Sequence, residues 1–166
     1  LTSAVRFGSL YFDIDNEDMQ ISYSEVKKLY SYLNQFIPEQ SIIVYFTGKK
    51  GFHIECEVIA LGINPGNNLP IIFRHIANDV KNKLDLSSLD FSVYDARRMW
   101  RLEGSKHQDT GLYKNIISKE MLFSDIGKIT SYCKDYHEPF VNDQEFSHSA
   151  NEWYADYVRQ VDSEKN

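Results

Sequence analysis

A chain of 166 residues that is 42% hydrophobic and 14% aromatic holds enough apolar material for one packed core, which excludes a disordered tail. It has no apolar run near the roughly 18 residues that span a bilayer, and residues 1–11 lack the charged start and apolar stretch of a signal peptide, so a cytoplasmic protein without membrane contact is expected. The formal charge of −6 argues against a nucleic-acid partner only until it is located: residues 135–166 carry eight acids against Arg159 and Lys165, and the remainder is neutral.

Only Cys56 and Cys133 are present, far apart and without a Cys-x-x-Cys pair, so neither a disulfide framework nor a zinc module is indicated and buried free thiols are expected. The chain starts without Met in the run-up to a strand, as expected of a piece of a longer parent with further domains. In chain order, residues 9–15 alternate apolar and polar as a strand does. Val26, Leu29, Tyr30, Leu33 and Phe36 lie at helical spacing over residues 23–36, with Ser22 or Ser24 as the cap and Pro38 as the stop. Residues 41–47 and 52–58 read as two strands of a hairpin joined by the tight turn Gly48-Lys49-Lys50-Gly51. A breaker at residues 64–68 precedes a second periodic helix over 69–84, and residues 91–94 and 99–102 read as strand. Two more helices are expected over 124–134 and 149–161, the last amphipathic through Trp153, Tyr157 and Val161.

This order predicts an α+β fold: an RRM-like or ferredoxin-like βαββαβ core with an antiparallel sheet, plus C-terminal helices. The expected division is a catalytic core over 1–117 and a helical extension over 118–166 packed on the same domain.

Three blocks carry chemistry. Asp13 and Asp15 are two apart on a strand, so both carboxylates face one side and can close on a hard divalent cation while Ile14 turns into the core. Taken alone, a D-x-D also arises from ordinary polar alternation. Thr47, Gly48, Lys49, Lys50, Gly51 and His53 surround the hairpin turn, where backbone N–H groups, cations and an imidazole can meet a phosphate. This is no Walker loop, because it leads into a strand; a plain surface turn with a sheet histidine is the bland alternative. Residues 95–114 hold five cations against three acids: Asp95 ends an apolar stretch as Asp15 does, and Arg98 and Arg101 stand close enough in sequence to clamp a polyphosphate. A solvated loop with Trp100 in the core is the competing reading, and it suits Arg97 best.

In this order the blocks resemble the archaeo-eukaryotic primase superfamily. Asp13 and Asp15 match its acidic pair, Thr47 to His53 its small residue, glycine turn and histidine, and Tyr94-Asp95 its third acid after an apolar residue. Arg98, Arg101, Gly104, Ser105 and His107, followed by Thr110-Gly111-Leu112, match R-x-x-R-x-x-G-S-x-H and T-G-L, the most specific piece. The resemblance covers about residues 10–117. The family more often has Ser where this chain has Thr47, the N-terminal αβ unit is nearly missing, and there is no room for the zinc-bearing insertion of primase small subunits. It therefore implies a compact primase-polymerase of the kind found in plasmids, phages and CRISPR-associated or other defence operons.

The resemblance implies a DNA-directed primase-polymerase that joins nucleoside triphosphates on a single-stranded DNA template and primer. Asp13, Asp15 and Asp95 would hold two Mg²⁺ or Mn²⁺ ions, and Thr47, Gly48, Lys49, Lys50, Gly51, His53, Arg98, Arg101, Lys106 and His107 would bind the triphosphate. Lys114 is the candidate for gripping an initiating nucleotide. Two other readings stay open: a non-catalytic RRM-like module for single-stranded nucleic acid, which would bind without metal, and a sugar transferase using the D-x-D, which leaves residues 98–111 unexplained.

Overall fold

The structure, a computed structural model, describes residues 7–95, 101–140 and 142–165. Strand β1 (Leu10–Asp15) leads to helix α1 (Met19–Leu33), then β2 (Ile42–Phe46) and β3 (Gly51–Cys56) form a hairpin. The short helix α2 (Val58–Leu61) precedes α3 (Leu69–Leu84), and a 3-10 turn at Phe91–Tyr94 follows. The strand β4 (Asn115–Ile117) and helices α4 (Lys119–Leu122), α5 (Ile126–Tyr132) and α6 (His148–Glu164) complete the chain. The fold is α+β, with a four-stranded antiparallel sheet in the order β1-β3-β2-β4.

One sheet face is apolar and makes the core. Leu10, Phe12 and Ile14 of β1, Phe52, Ile54 and Cys56 of β3, and Val44 and Phe46 of β2 are all essentially buried. Helix α1 contributes Val26, Leu29 and Leu33, and α3 contributes Ile72, Phe73, Ile76, Ala77 and Val80, positions three and four apart that form one stripe on each helix. Helix α6 closes the far side of the core. Its Trp153 stacks on Phe36 at 5.8 Å between centroids, Ser149 Oγ donates to Phe36 O at 2.7 Å, and Asn151 Nδ2 donates to Leu61 O at 2.9 Å. Among the described residues, no helix is long and apolar enough to cross a membrane.

Three expectations need correction. Helix α1 starts at Met19, not at Tyr23, because the Asp18 carboxylate caps it by accepting from Gln20 N at 2.9 Å. Ser22 lies inside the helix, where its hydroxyl donates to Lys50 O at 2.6 Å and ties α1 to the hairpin turn.

Residues 91–94 form a 3-10 turn instead of a strand. Asp90 accepts from Ser92 N at 2.9 Å and from Ser92 Oγ at 2.6 Å, and this local bonding outcompetes a ladder. What remains beside β1 is the bridge Ile14↔Leu89, with Asp15 N donating to Ser88 O at 2.9 Å and Asp90 N to Asp13 O at 3.0 Å. That is where the last strand of a ferredoxin-like sheet would pair. Arg101 and Leu102, the described part of the second expected strand, have no regular structure, and Met99 and Trp100 lie outside the described residues. The fourth strand is β4 instead, added beyond β2 at the opposite edge.

Candidate active site

The second sheet face is polar. Register places Asp13 opposite His53, His53 opposite Tyr45, and Tyr45 opposite Ile116, so these four form one row across the sheet. The neighbouring rows on the same face carry Asp15 with Gly51, and Tyr11 with Glu55 and Ile43. Asp13 and His53 are each 8% exposed, and His53 Nε2 lies 3.2 Å from Asp13 Oδ1. Burial lowers the His53 pKa below its ordinary value, Lys114 and Arg101 push it the same way, and the bond to Asp13 opposes them. A neutral imidazole that donates through Nε2 to the carboxylate fits this balance.

Asp15 lies at the strand end, exposed, and its pKa is raised first by partial burial, with Asp13, Glu17 and Asp90 adding repulsion against the attraction of Lys50. Negative charge thus accumulates at the β1 end of the face. Asp90 belongs to this group although the motif reading passed it over. Its residue type and place before Phe91-Ser92 carried a turn-capping signal, which is how the chain uses it. Asp95 stands exposed at the end of the 3-10 turn, its N–H donating to Ser92 O at 3.0 Å. Among the described residues, no three His, Cys, Asp or Glu side chains are gathered as a metal-ligating group, so Asp95 is not brought together with Asp13 and Asp15 in the set of three that the resemblance implies.

The hairpin turn and the loop after residue 100 are built into each other. Thr47 Oγ1 donates to Gly51 O at 2.9 Å and closes the turn. Gly48 adopts φ +100, and a Cβ there would sit 2.9 Å from the Cβ of His107, so glycine serves both the backbone conformation and the close approach. Thr110 Oγ1 donates to Gly48 O at 2.6 Å. Arg101 donates from Nη1 to Thr47 O at 2.6 Å and from Nη2 to Ser105 O at 3.1 Å, so it fastens the loop to the turn with two of its five donors. Lys49 pairs with Asp109 at 2.9 Å and Lys50 with Glu17. Lys106 lies over the Tyr113 ring at 5.4 Å, and His107 Nδ1 accepts from Asp109 N at 3.1 Å. Arg97 and Arg98 lie outside the described residues.

Lys114 departs most from its sequence reading. Instead of a surface cation it is a buried one, 3% exposed, with Nζ donating to Arg101 O at 2.7 Å and lying 4.8 Å from the Tyr45 ring centre. Burial lowers its pKa to about 8, with Arg101 adding to the fall and Glu55, Asp13 and Glu103 resisting it. Glu55 and Glu103 are themselves raised by burial, with Lys114 opposing in each case. Sequence reading missed Tyr45, Glu55 and Glu103, since nothing local distinguishes them from ordinary strand and loop residues. Across the face, charge thus runs from carboxylates at β1 and the 88–90 segment, through His53, to the cations Arg101 and Lys114. No protein-family model matches the chain, no curated protein matches it, and no solved structure does.

Proposed function

We propose that this chain is a template-dependent nucleotidyltransferase, a compact DNA primase-polymerase of the archaeo-eukaryotic primase kind that joins nucleoside triphosphates along a DNA template. The observation that carries the reading is the convergence of the three blocks. The acid pair, the glycine turn with its histidine, and the loop from Arg101 to Lys114 are separated in sequence yet share one sheet face.

The donor set suits a hard divalent ion. Asp13 and Asp15 offer only carboxylate oxygens, with Asp90 and Glu17 near enough to raise the Asp15 pKa, and such oxygen sets prefer Mg²⁺ or Mn²⁺ over softer metals. When bound, such ions supply Lewis-acid stabilisation of the negative charge that develops in phosphoryl transfer. Asp13 would hold its place through His53, while Asp15 stays exposed to the incoming substrate. The crowding of Arg101 and Lys114 beside His53 has a direct use here: both cations lower the hold of His53 on a proton, Arg101 lowers that of Lys114, and a polyanion would relieve the repulsion between the two cations. The backbone of the 47–51 turn, with Lys49, Lys50, Lys106 and His107 at its rim, would receive the rest of the triphosphate. Asp95 and Arg98 keep the roles that the resemblance gives them.

An RRM-like module would stack bases on exposed aromatics of this face. Tyr45 is 8% exposed with Lys114 against its ring, and Tyr11 is covered by the stacked ring of Tyr94 at 5.4 Å, which disfavours that reading.

The test is nucleotide incorporation on single-stranded DNA, with and without a primer, in Mg²⁺ or Mn²⁺. Asp13→Asn combined with Asp15→Asn is expected to lower incorporation by about 100-fold or more, the scale on which one charge-stabilising group counts, while the melting temperature holds. Near wild-type incorporation by the double variant would overturn the assignment of the site, and metal-independent binding of RNA without incorporation would return the chain to the binding modules.

A further inference from the structure

Helix α3 buries one face in the core and turns another outward. Ile71, Arg74, Asn78 and Lys81 follow spacings of three and four residues along that outer face, and His75 flanks them. With Phe91 and with Val161 and Glu164 of α6 they line an open groove of about 590 Å³. The guanidinium of Arg74 lies 5.9 Å and the ammonium of Lys81 5.6 Å from the centre of the same Phe91 ring, and Arg74 Nη2 also donates to Phe91 O at 3.1 Å. Among the described residues, neither cation makes an ion pair, although acids outnumber bases in the chain. Two positive charges held against one ring repel each other, and an anion seated between them offsets that repulsion.

The groove also connects to the candidate active site. Phe91 opens the 3-10 turn that Tyr94 closes, and their rings meet edge to face at 6.2 Å. Tyr94 stacks on Tyr11, which lies on the polar sheet face two residues before Asp13. A strand leaving that face over the turn would arrive at Phe91. Arg74 and Lys81 are two helical turns apart, about 10 Å, which matches roughly three stacked nucleotides at 3.4 Å each.

We propose that this groove is a docking surface for the phosphate backbone of single-stranded DNA, with Arg74 and Lys81 contacting phosphates and Phe91 packing against the strand between them. The inference rests on the reading of the chain as a template-directed enzyme and adds the path the template takes away from the active site. Cation contacts to phosphates with a ring packed against the strand suit sequence-independent binding.

The experiment measures binding of a fluorescein-labelled oligothymidylate by anisotropy over a series of salt concentrations, beside Mn²⁺-dependent nucleoside triphosphate binding by the same preparations. Removing two phosphate contacts with Arg74→Gln plus Lys81→Gln is expected to weaken oligonucleotide binding about tenfold and to reduce the slope of log affinity against log salt by about 1.4. Triphosphate binding should not change. Phe91→Leu, which keeps an apolar side chain of similar reach, is expected to weaken oligonucleotide binding while leaving the salt slope alone. If the double variant binds oligonucleotide with the wild-type affinity and slope, the docking surface is wrong, and intact triphosphate binding would leave the proposed enzyme standing. Loss of triphosphate binding by the wild type would count against the enzyme and not the groove. A double variant that loses affinity for a polyglutamate peptide but keeps it for the oligonucleotide would assign the groove to an acidic protein partner and overturn the inference.

Discussion

Gly51 is the place where the fold and the candidate active site are most tightly coupled. It opens β3, lies opposite Asp15 in the register, and approaches β1 so closely that an added Cβ would fall 2.5 Å from the carbonyl oxygen of Ile14 and 3.4 Å from the Cα of Asp15. Ordinary carbon–oxygen contacts fall near 3.3–3.6 Å, so Gly51→Ala forces the end of β1 away by about 1 Å. Both partners are ladder backbone, which has no rotamer to yield. Overpacking of this kind costs about 1–3 kcal/mol, and at 2–4 °C per kcal/mol for a domain of this size the melting temperature should fall by about 2–12 °C. The functional loss should exceed the loss of stability. A displacement of about 1 Å at Asp15 separates it from Asp13, and a misplacement of that size can cost about 100-fold in a reaction that depends on alignment. Thermal unfolding followed by circular dichroism, paired with nucleotide incorporation, reads both effects. Gly8→Ala is the control, since a Cβ there meets nothing within 4 Å. A Gly51→Ala protein that melts within about 1 °C of wild type and incorporates nucleotides normally would refute the claim that this contact sets the carboxylate pair.

The remaining predictions concern the cations of the site. Because the Lys114 pKa falls to about 8 from an ordinary 10.5, the unfolded chain holds a proton between these values that the folded chain has shed, so raising the pH through that window favours folding. The stability of wild type relative to Lys114→Met should therefore rise from pH 7.5 to pH 10.5 by about 2 kcal/mol after allowance for partial solvation, measured by urea unfolding; a difference that stays flat with pH would remove the buried charge from the account. His53→Ala should weaken metal-supported triphosphate binding about tenfold and leave oligonucleotide binding intact, and parallel losses in the two assays would make His53 part of a nucleic-acid groove. Arg101→Ala should do more damage than His53→Ala, since it also releases the carbonyls of Thr47 and Ser105; a stability loss of about 2 kcal/mol is expected in chemical denaturation, and none at all would mean that the loop does not depend on this clamp.

The long periodic elements were legible because burial on one face writes itself into the sequence. Helix α3 occupies the expected residues 69–84, and the hairpin differs from expectation by a residue or two at its ends. Where a local hydrogen bond competed with pattern, pattern lost. Phe91-Ser92-Val93-Tyr94 has the composition of a strand, yet the Asp90 carboxylate holds Ser92 in a turn, and Asp18 extends α1 a full turn before its first expected residue. Strand β4 was not legible, because three residues offer no period to recognise and its pairing with β2 spans about seventy positions of sequence. Lys114 failed for a related reason. A lysine in a polar loop reads as solvated, and only the return of the loop across Tyr45 buries it.

The part of the site that was legible owes its position to the opposite face of the sheet. Asp13 and Asp15 alternate with Phe12 and Ile14, and His53 alternates with Phe52 and Ile54, so each polar residue is placed by the buried residues beside it. A slip of one residue between β1 and β3 would turn Asp13 or His53 into the core and expel a phenylalanine or isoleucine, an exchange that costs several side chains of apolar burial at about 1.5–3 kcal/mol each along with the desolvation of a charge. The core therefore enforces the row Asp13, His53, Tyr45 whether or not that row performs chemistry. What the core does not require is the arrival of Arg101 and Lys114 over the same row. Lysine burial is unfavourable, and it is tolerated here beside Glu55 and Glu103, two carboxylates that burial itself disfavours. A stripe of apolar side chains would cover Tyr45 at lower cost. The retention of charge there, on the same face as the acid pair, is a structural expense that packing alone does not explain; under the proposed function a bound polyanion would offset it.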